Sequence, residues 1–320
     1  LRYTRYIGPQ CLKGGTITVI LSVSRRTDIP CCYPEWLLER LRAGFALVRD
    51  PIGGRPGRVP LGTDVVDCIV FWTKDPAPLL PYLDEVDRMG YRYYFQFTIT
   101  PYGRELEPCL RDLEDRVRTF LALSRRLGPG RVVWRYDPIL LDERHTAAWH
   151  REQFAALCGA LSGAADTVTI SFLDLYPRLR RAGFRAVTER EARALAAELS
   201  PIAAEHGLDI RSCAEPWDLS PQGVPPGACI DGERIRQLCG CGLALSRDRG
   251  QRPACLCRES VDIGAYDTCT NGCAYCYADH GRGRKPCDPH SPLLCGALLP
   301  GETVRDRRCT SSLDPQLTLY

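Results

Sequence analysis

Methionine is almost missing: Met89 is the single one in 320 residues, and the chain opens on Leu1. The first dozen residues therefore read as a mis-assigned start or as the edge of a fragment. Histidine is scarce as well. His145, His150, His206, His280 and His290 lie in helical stretches, loops or the far C-terminal stretch. None has the spacing that two imidazoles need to share a metal, and no His-Glu-x-x-His run occurs. No Ser-His-Asp order and no phosphate-cradling glycine loop is present, and Gly53-Gly-Arg-Pro-Gly57 reads as a surface turn. Long apolar runs are lacking too. The best of them, residues 16–24, is far short of the ~20 residues a membrane helix needs and reads as a strand. Charge of one sign is also lacking, since 42 Lys and Arg face 39 Asp and Glu for a net +3. The basic residues are scattered over helical faces, which neither indicates nor excludes a nucleic-acid partner.

Cysteine is what the chain has in quantity, with 18 residues. A chain this long, 44% hydrophobic, buries a core without staples, and no secretory signal is readable, so a disulfide framework is not expected. The setting expected is reducing, cytoplasmic and away from membranes.

Six segments read as buried strands: 16–24, 68–74, 93–100, 131–137, 167–174 and 209–215. Helical periodicity fills the gaps at 34–43, 78–89, 110–127, 146–162 and 188–206. Alternation of this kind makes parallel strands with right-handed crossovers. The expected fold is an α/β class β/α barrel of six to eight mostly parallel strands over residues 16–215. A Cys-rich segment, 216–280, carries a final strand and packs on it, and 281–320 reads as a poorly ordered tail.

The strands are two-faced. Phe95, Phe97 and Ile99 share one side, while Gln96, Thr98 and Thr100 share the other. Val132, Trp134 and Tyr136 likewise oppose Arg135 and Asp137, and Val168, Ile170 and Phe172 oppose Thr169 and Ser171. With the apolar sides against the helices, the polar sides line a cavity. Five strands end in polar groups just before a proline, at 24–30, 72–76, 98–101, 135–138 and 213–216. Proline ends a ladder, and the carboxyl ends of parallel strands form the active-site face. Arg26, Lys74, Arg135, Asp137 and Glu215 are the catalytic candidates at that mouth.

Near the end stands Cys269-Thr-Asn-Gly-Cys273-Ala-Tyr275-Cys276. Three thiols in one loop suit a shared metal or iron–sulfur cluster, and three leave a fourth position open, where a structural zinc wants four. With Tyr275 before the third cysteine, the motif resembles the signature of radical S-adenosylmethionine (SAM) enzymes. The wider chain, through Ser24-Arg-Arg-Thr-Asp-Ile-Pro30, Phe71-Trp-Thr-Lys74, Arg135-Tyr-Asp-Pro-Ile-Leu140 and Tyr275-Cys-Tyr-Ala278, resembles a bacterial family known as domain of unknown function 1848. That second resemblance implies no reaction.

The radical SAM resemblance implies that Cys269, Cys273 and Cys276 ligate a [4Fe–4S] cluster whose free iron chelates SAM. One-electron reduction, by a donor such as flavodoxin or ferredoxin, then yields methionine and a 5′-deoxyadenosyl radical that abstracts hydrogen from a substrate. The motif usually follows the first strand, and here it follows the last. A strand at 260–266 lying beside strand 16–24 would make the fold a circular permutation. Ser24, Arg26 and Asp28 would then sit at the cluster loop as SAM contacts, joined by Tyr275, Gln96 and Thr98. Their alternative is an ordinary ion pair at a strand end.

Cys213, Cys229, Cys255 and Cys257 are candidates for a second [4Fe–4S] cluster or a zinc, with Cys239 and Cys241 able to replace one pair, or else are buried free thiols. Two further readings stay open. One is a non-catalytic barrel with a zinc- or cluster-stapled loop that binds a ligand or partner. The other is a hydrolase or isomerase using Asp28, Asp137, Asp174 and Glu215 on a divalent metal.

Overall fold

A computed structural model describes residues 19–51, 53–240, 246–283 and 286–306. In chain order the elements begin with β1 (Val19–Val23), α1 (Ile29–Cys32), α2 (Pro34–Ala43), β2 (Phe45–Arg49), β3 (Pro56–Pro60) and β4 (Val66–Thr73). Next come α3 (Leu83–Arg88), β5 (Tyr93–Thr98), α4 (Leu113–Leu127), β6 (Val132–Ile139), α5 (Ala147–Ala160) and β7 (Thr167–Phe172). The rest are α6 (Pro177–Arg181), α7 (Glu189–Glu205), β8 (Asp209–Cys213), β9 (Pro226–Gly227), α8 (Gly232–Cys239), β10 (Val261–Asp262) and β11 (Arg305–Asp306).

Eight strands form one parallel sheet in the order β10-β1-β4-β5-β6-β7-β8-β9, curled into a half-barrel. All six strands read from the sequence are in it, with residues 16–18 of the first outside the described residues. Periodicity did not foretell the hairpin β2–β3, whose turn holds Gly53 and Gly54 and which β11 extends as a third strand. The strand expected before the cysteine loop is present as β10. It pairs in parallel with β1, Leu21 opposite Val261 and Ser22 opposite Asp262. The last strand of the sheet thus lies beside the first.

The period-2 faces are sorted as their side chains require. Leu21, Val23, Phe71, Phe95, Phe97, Trp134, Tyr136 and Ile170 join the helices in one outer core. Trp134 stacks on Phe154 of α5 with centroids 5.2 Å apart. Helix α7 starts on a capping box between Thr188 and Glu191. The concave face is layered: Ile20, Val70, Tyr94 and Val133 pack beneath Cys229, Ile230, Ile235, Cys255 and Cys257, which cover it. Polar groups occupy the strand positions nearer the carboxyl ends, where Ser22, Gln96, Arg135, Thr169 and Ser171 are buried.

Beyond residue 286 the described chain docks on the β2–β3 side. The Trp36 indole donates to the carbonyls of Ser291 and Leu293 at 2.9 and 3.1 Å, and Cys287 and Cys295 are disulfide-bonded. No helix among the described residues is long and apolar enough to cross a membrane.

Candidate metal and cofactor site

A cavity of about 380 Å³ opens at the carboxyl ends of the strands. Cys269, Cys273 and Cys276 line it, and so do Cys213, Cys229, Cys255 and Cys257. Seven thiols from four stretches of chain therefore face one space.

The loop that carries the first group is seated by β10. Asp262 accepts from Ser22 Oγ at 2.8 Å, Ser24 Oγ at 2.7 Å and the Arg25 N–H at 2.8 Å, and its Oδ1 lies 3.3 Å from Arg26 Nε. Gly264 is needed for this closeness, because a Cβ there would lie 2.0 Å from Ser24 Oγ. Thr27 and Thr268 share a buried hydrogen bond of 2.6 Å. Asp28 ties the remaining pieces. One of its carboxylate oxygens caps α1 at the Cys31 N–H, and the other accepts from the Lys74 N–H at 2.7 Å and Asn271 Nδ2 at 2.9 Å. Burial pushes the Asp28 carboxyl up to about 6 against those hydrogen bonds. Between Cys269 and Cys273, Gly272 takes a φ of +69°, the left-handed conformation that favours glycine.

Behind the loop lies a buried ionic knot. Glu107 accepts from Lys74 Nζ at 2.8 Å, from Thr100 at 2.7 Å and from the Tyr275 hydroxyl. Its other oxygen stands 3.3 Å from Arg116 Nη1, although neither of those two atoms completes a hydrogen bond. Burial acts to raise the Glu107 pKa, but the Lys74 and Arg116 charges outweigh it and the carboxyl ends lowered. Lys74 also lies 5.3 Å over the Tyr275 ring. The loop thiols themselves are all pushed up: Cys273 and Cys276 by burial first, Cys269 by its hydrogen bond with Cys32 and then by burial.

Cys32 was not anticipated. It sits in α1 beside Cys269 and accepts from Thr270 Oγ1 at 3.1 Å. The adjacent pair Cys31-Cys32 was the signal that could have found it. Neither is among the cavity-lining residues.

The second group is scattered in sequence and close in space. Cys213, at the end of β8, places its Sγ 3.1 Å from that of Cys229. Arg135 Nη1 donates to Cys229 Sγ at 2.6 Å, and the Ile230 N–H donates to Cys257 Sγ at 3.4 Å. Cys257 is hydrogen-bonded to Cys229 and Cys255, and these bonds, with the nearby Arg25 charge, pull its thiol down despite burial. Cys213 is lowered to about 7, first by its hydrogen bond with Cys229 and then by Arg135. Trp72 is flanked by two guanidiniums, with Arg25 5.4 Å and Arg135 5.2 Å from its ring.

The remaining candidates divide. Ser24, Arg26, Asp28, Lys74, Thr98, Arg135, Asp137 and Tyr275 line the cavity, whereas Gln96 and Glu215 do not. Gln96 donates to the Cys229 carbonyl at 2.8 Å and so supports the second group. Glu215 accepts from the Phe172 N–H at 2.9 Å, and burial pushes it up to about 7. Asp137 pairs with Arg135, and Asp174 with Arg252. Cys239 turns away to the Asp67 carbonyl at 3.5 Å, and Cys241 lies outside the described residues.

Among the described residues no group of three or more His, Cys, Asp and Glu side chains stands ready to hold a metal ion. The thiols of the second group touch one another instead. Cysteine has a single side-chain torsion with staggered wells, so a rotamer step re-aims each sulfur without moving the backbone. The donor set suits thiophilic centres in both places: three loop thiols in one group, and in the other the half-buried Cys213 with the buried Cys229, Cys255 and Cys257.

The family described as "Domain of unknown function (DUF1848)" matches residues 20–278, and the chain belongs to it. No curated protein and no solved structure matches the chain.

Proposed function

We propose that this member of the DUF1848 family is an iron–sulfur enzyme of the radical SAM type, acting on a substrate held in the polar half-barrel cavity. One observation carries the reading: Cys269, Cys273 and Cys276 line the cavity at the carboxyl end of the β10–β1 pair, while the neighbouring Cys32 does not. Three loop thiolates on the cavity side suit a [4Fe–4S] cluster with one open iron facing the cavity. Such a cluster supplies one-electron reductive cleavage of SAM.

The chain's own residues position and enclose. Asp262, Ser24 and Arg26 bind one another, as do Asp28, the Lys74 N–H and Asn271. On this reading these groups fix the loop at the mouth rather than grip SAM directly. Tyr275, anchored through Glu107, forms a rigid wall beside the third cysteine. Thr98, Asp137 and Asp174 line the cavity too and provide polar contacts for substrate.

The test is anaerobic purification with iron and sulfide counts, followed by reduction with dithionite in the presence of SAM. The expected product is 5′-deoxyadenosine. Iron-loaded protein that neither binds nor cleaves SAM overturns the proposal.

A second reading has its own observation, the contact between Cys32 and Cys269. It is a closed four-thiolate zinc site that staples the loop to α1. Cys32→Ser separates the two: iron content and SAM cleavage persist under the first reading, and zinc is lost under the second.

A further inference from the structure

Two donors at the cavity lack acceptors. Arg25 Nη2 and Trp72 Nε1 are buried, have no hydrogen-bond partner, and belong to residues that line the cavity with the second thiol group. A buried N–H without an acceptor costs roughly 1–3 kcal/mol, so an acceptor is expected there. Arg135 adds a buried guanidinium already in contact with Cys229. The surroundings of Cys213, Cys229, Cys255 and Cys257 are therefore rich in donors, including two guanidiniums that also pair with Asp248 and Asp137.

We propose that these four cysteines hold a second [4Fe–4S] centre, closed by four thiolates, with Arg25 and Trp72 donating to its sulfides. Zinc bound by the same thiols brings no acceptor beyond the four thiolates themselves. A cluster brings inorganic sulfides, which accept. It also carries net negative charge, which the Arg25 and Arg135 guanidiniums offset. Gln96 and Tyr94 complete the frame, both donating to the Cys229 carbonyl, at 2.8 and 2.6 Å. With four protein ligands no iron is left open, so this centre binds neither SAM nor substrate.

This inference does not depend on SAM chemistry at the loop. The experiment is anaerobic iron–sulfide reconstitution of the full chain carrying Cys269→Ala, Cys273→Ala and Cys276→Ala together. The expected result is about four irons and about four sulfides per chain, with a reduced-state paramagnetic signal that SAM leaves unchanged. Loss of all iron from this variant, or retention of zinc in place of iron, overturns the inference. A wild-type protein that holds iron only at the second group and never cleaves SAM sinks the radical SAM reading but leaves this one standing. A second variant, Trp72→Phe, keeps an aromatic ring and deletes the N–H. Hydrogen bonds to cluster sulfur raise the reduction potential, so a redox titration is expected to show a lower potential. An unchanged potential overturns the assignment of Trp72 as a sulfide donor.

Discussion

The two thiol groups share one cavity and differ in nearly everything else. The loop group comes from a single short stretch, and its thiols are held up by burial. Lys74, whose charge acts on Cys273, is matched by Glu107. The scattered group comes from β8, the segment before α8 and the segment before β10. It has two guanidiniums beside it, each also paired with a carboxylate, and Cys213 and Cys257 are pulled down while Cys229 and Cys255 are pushed up. A loop whose three thiols are all pushed up relies on a bound metal to become thiolate. A pocket whose cysteines hydrogen-bond one another beside Arg25 and Arg135 favours thiolate beforehand at Cys213 and Cys257. The comparison separates a site organised by backbone from one organised by electrostatics.

The sharpest way to break that contrast is Cys273→Ala. SAM cleavage is expected to fall to background while the iron of the scattered group remains, measured by product assay and iron count on one sample. Next is Arg135→Leu, which leaves Asp137 half-buried beside an uncompensated thiol group. Removing one partner of a fully buried pair costs roughly 3–5 kcal/mol; Asp137 keeps some solvent, so denaturant unfolding should show a loss at or below the low end of that range. If the stability is unchanged, electrostatics does not organise the scattered group.

A control that belongs to neither group is His150. Its Nδ1 lies 2.8 Å from the Tyr136 hydroxyl and its Nε2 2.7 Å from the Leu140 carbonyl, which makes it a neutral ring protonated at Nε2. Burial lowers its pKa to about 4, so the folded state binds fewer protons than the unfolded state, whose His titrates near 6.5. The contribution is fully present above about 6.5 and is lost as pH falls towards about 4, amounting to roughly 3 kcal/mol. Unfolding midpoints across that window are expected to drop equally in wild type and in the cysteine variants. The smallest effect is expected from Gly264→Ala, which forces Ser24 away from the closing strand. The cost is about 1–3 kcal/mol by overpacking. It should lower iron occupancy at the loop more than at the scattered group, a difference that iron counts with and without the three loop cysteines resolve.

Much of this was legible in the residues. The alternation of Phe95 with Gln96, and of Trp134 with Arg135, forecast which side of the sheet meets helices, because period-2 side chains cannot share a face. The spacing of Cys269, Cys273 and Cys276 was visible because all three are local in sequence. Cys213 and Cys229 carry no local signal, and only the neighbouring of β8 and β9 brings them together. Cys32 lies in a helix of four residues, and the adjacent Cys31 was its one local signal. Ser24, Arg26 and Asp28 have polar atoms engaged by Asp262, Lys74 and Asn271. Sequence gives proximity, but not whether a group is already taken.

The pairing of Ser22 with Asp262 spans 240 positions of the chain. Contacts of such high sequence separation form late, because a long loop must close before they are rewarded. On a ribosome, β1 emerges early and then waits with its edge unpaired until β10 is synthesised. The cavity's thiol loop, residues 269–276, is itself made only after β10, so the loop and its seat arrive together near the end of translation. Whatever delivers a metal to it meets a nearly finished chain, and any truncation before Val261 removes the seat and all three loop cysteines at once.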